Sequence, residues 1–127
     1  MGSSAEDGFR RLVIGDQRLL ASACALDGTP VDLPRLDART EALLRIAALV
    51  ALDAPPSSFR TEVDDALRAG ARLSDLLAVL VGVAGIVGSA RVVSAAPRIS
   101  LAAGYDVEAA LEAVEPYRAE AVEPYRA

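Results

Sequence analysis

Apolar residues recur at three- and four-residue intervals along most of the chain, which is the spacing of an amphipathic helix. Near the N-terminus this pattern runs from Phe9 to Ala23. Gly15 followed by Asp16 predicts a break there, because aspartate caps the start of a helix well. Glycine, threonine and two prolines in residues 27–34 then predict a loop. The N-terminal part of the chain therefore predicts two short helices and a loop.

The middle of the chain predicts a pair of helices joined by a proline turn. Residues 37–52 form a strongly apolar helical pattern with the first residue, an aspartate, as its N-cap. Pro55–Pro56 ends this helix, and Ser57 or Ser58 is expected to cap the next one. The second helix should stop at Gly70, a common residue for the left-handed conformation after a helix.

Two further helices follow. Ser74 opens the first, which is expected to continue through residues 89–96 until Pro97 interrupts it. The last helix is expected over residues 106–114. Since no segment alternates between apolar and polar residues with β-branched enrichment, the sequence predicts an all-α fold of about six helices.

The sequence predicts a helical domain with a flexible segment before it and a repeated segment after it. Residues 1–8 are expected to be a flexible N-terminus, and residues 9–114 a single helical domain. The octapeptide EAVEPYRA occupies residues 112–119 and again residues 120–127 without a substitution. Such identity indicates a recent duplication or an engineered addition, and a proline in each copy limits helix formation. We expect this tail to take no part in chemistry.

Composition narrows the choice of partners. Of the 127 residues 53% are hydrophobic, more than a small monomer readily buries, so self-association is expected. The net charge of -5, without a basic cluster, argues against nucleic acid as a partner. The longest uncharged run, between Asp75 and Arg91, is shorter than the roughly 20 residues of a membrane span, so no membrane partner is expected.

One cysteine and no histidine limit the chemistry further. Cys24 cannot form an intramolecular disulfide, and the N-terminus lacks a secretory pattern, which together favour a reducing cytoplasm. Its neighbours are alanines and a leucine, so we expect this thiol to lie in the core.

Three blocks of the chain resemble a known family. They are LDARTEALLRIAALVALDAPP, DDALRAGARLSDLLAVLVGVAGIVG and ARVVSAAPRISLAAGYDVEAALE. These blocks are similar to actinobacterial carboxymuconolactone decarboxylase-like proteins of the alkyl hydroperoxidase D-like superfamily, and the resemblance covers roughly residues 9–114. It implies an all-helical subunit that assembles into a homotrimer or homohexamer. It implies neither a cofactor nor a metal.

The resemblance also locates a candidate site. Redox members carry a Cys-x-x-Cys-x-x-x-His motif where this chain has Pro55, Ser58 and Glu62. Without these cysteines and the histidine, peroxidase and thiol oxidoreductase activities are not expected. The decarboxylase branch implies acid-base chemistry on a small carboxylic acid or lactone, with Glu62 at the histidine position and Ser58 as a polar contact. The alternative for Glu62 is a solvated helix residue that pairs with Arg60, Arg68 or a neighbouring subunit.

Two arginines, three glycines and one tyrosine are further candidates for a binding site. Arg91 and Arg98 lie in an otherwise apolar segment and could bind the carboxylate of a ligand, or could cross an oligomer interface to an acid. Gly82, Gly85 and Gly88 recur every third residue, which permits close approach of another backbone or leaves room for a ligand. Tyr105 could line a pocket or anchor a turn.

Two functions therefore remain open from the sequence. The first is a non-redox acid-base enzyme of the decarboxylase or isomerase type, a lyase-like activity. The second is a non-catalytic oligomeric binding or scaffold protein in which the family's site has decayed. A Glu62 that lies in a closed pocket with a raised pKa and a nearby arginine would favour the enzyme, and an exposed Glu62 or one in a surface ion pair would favour the scaffold.

Overall fold

The computed structural model describes residues 4–25 and 33–113 of the chain. In these ranges the ordered elements are helices, seven in number, and no strand occurs, which confirms the all-α prediction. The chain divides into two compact units, Met1–Leu36 and Asp37–Ala127. The repeat predicted to form a tail lies outside the described residues from position 114 onwards.

The first unit contains helices α1 (Ser4–Val13) and α2 (Gln17–Cys24). As predicted, Asp16 caps α2, and its carboxylate accepts hydrogen bonds from the backbone N–H groups of Arg18 and Leu19. Helix α1 begins at Ser4, inside the stretch that was expected to be a flexible terminus. Two acidic residues in the first turn favour this earlier start because they interact well with the positive end of the helix dipole.

The second unit contains the remaining helices. They are α3 (Ala38–Leu52), α4 (Pro56–Arg68), α5 (Leu73–Val87), α6 (Ser89–Ala102) and α7 (Val107–Glu112). Helix α4 packs against both α3 and α6, and α5 packs against the same two helices. Helix α4 therefore has one flank towards α3 and another towards α6.

Most of the predicted helix ends in this unit are confirmed. The Asp37 carboxylate accepts the backbone N–H of Thr40 at 2.8 Å, and Gly70 follows α4 with a φ of +97°. The prediction that Ser57 or Ser58 caps α4 was wrong. The N-cap is Pro55, and the next proline takes the first helical position, where its missing N–H is not needed.

The third predicted helix is in fact two helices. Gly88 adopts a φ of +88°, which ends α5 and starts α6, so the described residues form seven helices where about six were expected. Pro97 was expected to interrupt the helix but lies inside α6. Both Pro97 and Val93, whose carbonyl loses its N–H donor, are exposed, so water can replace that donor.

The core of the second unit lies where α3, α4, α5 and α6 meet. Phe59 of α4 is fully buried and is the largest side chain of this core. Its fully buried companions are Ile46, Leu76, Val50 and Val63. Burying each such side chain contributes about 1.5–3 kcal/mol, so these residues fix how the helices pack.

Helix α5 has a second apolar face that the described residues do not cover. Val81 is 70% exposed at the centre of this outer face, and Leu77 lies one turn before it. A Cβ atom added at Gly82 or Gly85 would meet no described atom within 4 Å. The glycines therefore serve no close packing within the described part of the chain.

Cys24 is exposed at the end of α2, so the prediction that it lies in the core was wrong. The alanines around it do not bury it, because α2 has only eight residues and Leu19 is its buried position. Apolar neighbours in sequence predict burial only where a partner element covers that face.

Candidate functional site on the two flanks of helix α4

Helical geometry places the candidate site residues on opposite sides of α4. Pro55, Ser58 and Glu62 are spaced by three and four residues, which puts them on one flank. Arg60 is two residues before Glu62, about 200° around the helix axis, and so lies on the other flank. Helical spacing therefore groups Pro55, Ser58 and Glu62 together and separates them from Arg60.

The carboxyl group of Glu62 lies on the flank that faces α3. Its Oε2 atom is buried and has no hydrogen-bond partner among the described residues, although the residue as a whole is half-buried. Burial raises the pKa of Glu62 above its ordinary value of 4.5. The positive charge of Arg45 on α3 acts in the opposite direction, and Asp65 adds to the rise. The net effect is a pKa of Glu62 above its ordinary value.

Arg45 is the cation that acts on Glu62. Its guanidinium also pairs with Glu41 at 3.7 Å, an i, i+4 pair that the sequence predicts. Arg68 does not take this role, because it pairs with Asp64 at 2.9 Å. Ser58 is half-buried one turn before Glu62 on the same flank. The flank towards α3 therefore carries Glu62 and Ser58 and experiences the positive charge of Arg45.

Arg98 of α6 belongs to the opposite flank. Its Nη1 atom donates to the Ala54 carbonyl at 2.6 Å and lies 3.4 Å from the Asp53 carboxylate. Asp53 ends α3 in the left-handed conformation and also accepts the Ser94 hydroxyl at 3.0 Å. Arg98 therefore anchors α6 to the turn between α3 and α4.

A cavity of about 190 Å³ lies between α4 and α6 beside this anchor. Arg60 and Arg98 contribute guanidinium groups to its lining, and the rest of the lining is apolar apart from backbone. Arg60 is exposed and has no ion pair or hydrogen bond to any described residue. The cavity thus combines apolar walls with positive charge.

The sequence predicted one site containing Glu62, Ser58, Arg91 and Arg98, and the structure brings only part of it together. Glu62 and Ser58 share a flank, whereas Arg98 lies on the other one. Arg91 is exposed on α6, two helical turns before Arg98, and does not line the cavity. The contributions of Arg45 and Arg60 were missed. The sequence could have shown that Arg60 and Glu62 face different sides of α4, because residues two apart on a helix do not face each other.

A second cavity, of about 230 Å³, lies between α5, α6 and the start of α7. Tyr105 lines it, and the Tyr105 backbone N–H donates to the Ser100 carbonyl at 2.8 Å. Tyr105 therefore both lines a pocket and belongs to a turn. Within the first unit, α1 and residues 33–34 enclose another apolar cavity of about 230 Å³. Glu62 lines none of these three cavities.

Residues 4–25 and 33–113 contain neither a metal-ligand cluster nor a membrane-spanning helix. No group of three or more cysteine, aspartate and glutamate side chains in these ranges is placed to hold a metal ion. Over the same residues, the helices lack the combination of length and hydropathy that crossing a bilayer requires.

Comparison of the chain with protein-family models, with curated protein sequences and with solved structures finds no match.

Proposed function

We propose that this protein is a carboxymuconolactone decarboxylase-like protein with an alkyl hydroperoxidase D-like fold, and that it carries out non-redox acid-base chemistry through Glu62. The single observation that supports this function is the burial of the Glu62 Oε2 atom, which has no hydrogen-bond partner among the described residues; this burial raises the pKa of the carboxyl group above its ordinary value. A carboxylic acid that stays protonated closer to neutral pH can act as a general acid and then as a base.

The substrate proposed for this site is a small carboxylic acid or a lactone that bears a carboxylate. Arg45 takes the part that the sequence assigned to Arg91 and Arg98, because its charge acts on Glu62 and could also hold a substrate carboxylate. Ser58 supplies a hydroxyl group on the same flank. Glu62 would donate its proton to the carbon or oxygen that gains electrons when carbon dioxide leaves or the double bond moves.

Turnover of a γ-lactone that bears a carboxylate side chain tests this proposal. Carbon dioxide release and isomerisation would be followed by NMR for the wild-type protein, for Glu62→Gln and for Arg60→Gln. We expect Glu62→Gln to lower the rate by about 10²- to 10⁴-fold, the usual contribution of a general acid or base. Arg60→Gln is the matched control on the opposite flank and should retain the wild-type rate. Equal rates for wild type and Glu62→Gln would refute the role of Glu62.

A second function is favoured by a different observation. The outer face of α5 is apolar and contains two glycines that meet no described neighbour, as expected if another subunit covers it. In this alternative the protein is a non-catalytic homotrimeric or homohexameric scaffold. Self-association through α5 is compatible with the first function as well, so the absence of turnover is what distinguishes the scaffold from the enzyme.

Light scattering coupled to gel filtration tests self-association through α5. Val81→Lys places a charge at the centre of the outer face and should shift the mass towards that of the monomer. Leu52→Lys is the control, because Leu52 is 74% exposed at the end of α3 and is not part of α5. Identical masses for both variants and the wild type would exclude α5 as the interface.

A further inference from the structure

The cavity between α4 and α6 is bounded by residues of two kinds. Four apolar residues form its walls, and two arginines supply its polar groups. The complete lining consists of Pro56, Arg60, Pro97, Arg98, Leu101 and Ala102. Few polar groups set among apolar walls are the usual composition of a small-molecule site.

The positive charge of this cavity is only partly compensated. The hydrogen bonds that the structure gives Arg98 use Nη1, so the Nε and Nη2 donors of its guanidinium are not engaged by them. Asp53 compensates part of the charge of Arg98 at 3.4 Å. Arg60 has no such acid among the described residues, since Asp64, one turn after it, pairs with Arg68. An anion entering the cavity would therefore meet one uncompensated guanidinium and one anchored guanidinium.

We propose that this cavity binds a small organic monocarboxylate whose apolar body is the size of one aromatic ring. The charge selects a carboxylate, because guanidinium groups bind planar carboxylates through paired hydrogen bonds. The walls select an apolar body over a simple hydrated anion. The volume of about 190 Å³ limits that body, since a cavity of about 150 Å³ is enough to hold benzene.

This site is independent of the function proposed for Glu62. Helical spacing puts Arg60 and Glu62 on opposite flanks of α4, and Glu62 does not line the cavity. A carboxylate bound here would serve as a second ligand of the protein and would not contact the proposed proton donor. Loss of Glu62 should therefore leave carboxylate binding intact, so the two proposals can fail separately.

Calorimetric titration of the full chain with benzoate, and with neutral benzamide as the isosteric control, tests the site. For a ligand of so few atoms we expect a benzoate dissociation constant of about 0.1–1 mM and at least tenfold weaker binding of benzamide. Arg60→Gln should weaken benzoate binding by about tenfold or more. Arg91→Gln is the matched control, because Arg91 is also an exposed arginine without a described partner but does not line the cavity.

Three results would overturn the proposal. The first is no benzoate binding to the wild-type protein in this concentration range. The second is equal affinity for benzoate and benzamide, which would show that charge is not recognised. The third is that Arg60→Gln and Arg91→Gln weaken benzoate binding equally, which would show only a general effect of net charge. Unchanged benzoate affinity in Glu62→Gln would support the separation of the two sites.

Discussion

The two flanks of helix α4 carry charged groups in different ways. On the flank towards α3, the Oε2 atom of Glu62 is buried without a hydrogen bond to any described residue, and burial raises the pKa of this carboxyl group. On the flank towards α6, Arg98 is held by a carbonyl and a carboxylate, and Arg60 stands beside it at a cavity. A difference of two positions along one helix thus separates a proton-binding group from an anion-binding cavity.

Both flanks depend on one core residue. Phe59 is fully buried between them, and replacing it by alanine should lower the free energy of unfolding by about 3–5 kcal/mol. Urea denaturation would measure this loss. Leu67→Ala is the control on the same helix, because Leu67 is partly exposed and should cost much less. Equal losses for the two variants would contradict a core centred on Phe59.

The two arginines of the cavity should differ in their effects on stability. Arg98→Met removes a charge-assisted hydrogen bond to a buried carbonyl and should lower the free energy of unfolding by about 1–3 kcal/mol. Arg60→Met removes no described bond and should change it by less than about 0.5 kcal/mol. Thermal and urea unfolding of the two variants test this. A larger loss for Arg60→Met would reverse their assigned roles.

The pH dependence of stability distinguishes Glu62 from the capping aspartates. Because its pKa is raised in the folded protein, the folded state binds this proton more tightly than the unfolded state. The Glu62 carboxyl therefore lowers the free energy of unfolding as the pH rises from 4.5 through the folded pKa. Asp16, Asp37 and Asp75 act oppositely: hydrogen bonds lower their pKa, so their stabilisation is lost as the pH falls below 3.8.

Comparison with Glu62→Gln isolates the contribution of Glu62. The aspartate contributions are common to both proteins and cancel in the difference. The free energy of unfolding of Glu62→Gln minus that of the wild type should therefore increase as the pH rises above 4.5 and then level off. Urea denaturation over a series of pH values measures it, and a difference that does not change with pH would exclude a raised pKa.

The smallest expected effect is the change in the pKa of Glu62 when a single arginine is replaced by glutamine. Arg45→Gln should raise the pKa of Glu62 further, because the positive charge of Arg45 opposes the rise. Arg91→Gln removes the same charge from an exposed position on α6 and should leave the pKa of Glu62 nearly unchanged. NMR titration of the Glu62 side chain in both variants measures the two shifts. Equal shifts would mean that Arg45 has no specific effect.

Local signals in the sequence predicted much of the fold. Asp16, Asp37 and Asp106 were expected at helix starts, and each accepts a backbone N–H there. Such caps depend on a few neighbouring residues and so can be read locally. The helix break at Gly88 could not be predicted from its neighbours in this way. The helical pattern continues across it, and only the packed structure shows that its backbone turns.

The candidate site was predicted less well than the fold. Spacing correctly grouped Ser58 with Glu62, because one helix carries both residues. The assignment of Arg98 to the same group required the packing of α6 on α4, which the sequence does not specify. Burial of the Oε2 atom of Glu62 likewise results from tertiary packing, whereas a helical glutamate is usually solvated.

NMR titration of the side-chain carboxyl carbon of Glu62 in the wild-type protein tests the central claim most directly. Assignment by loss of the signal in Glu62→Gln removes ambiguity with the other acids. We predict a pKa above the ordinary value of 4.5, because burial outweighs the nearby charge of Arg45. A pKa at or below 4.5 would show a solvated or ion-paired carboxylate and would contradict the proposed acid-base site.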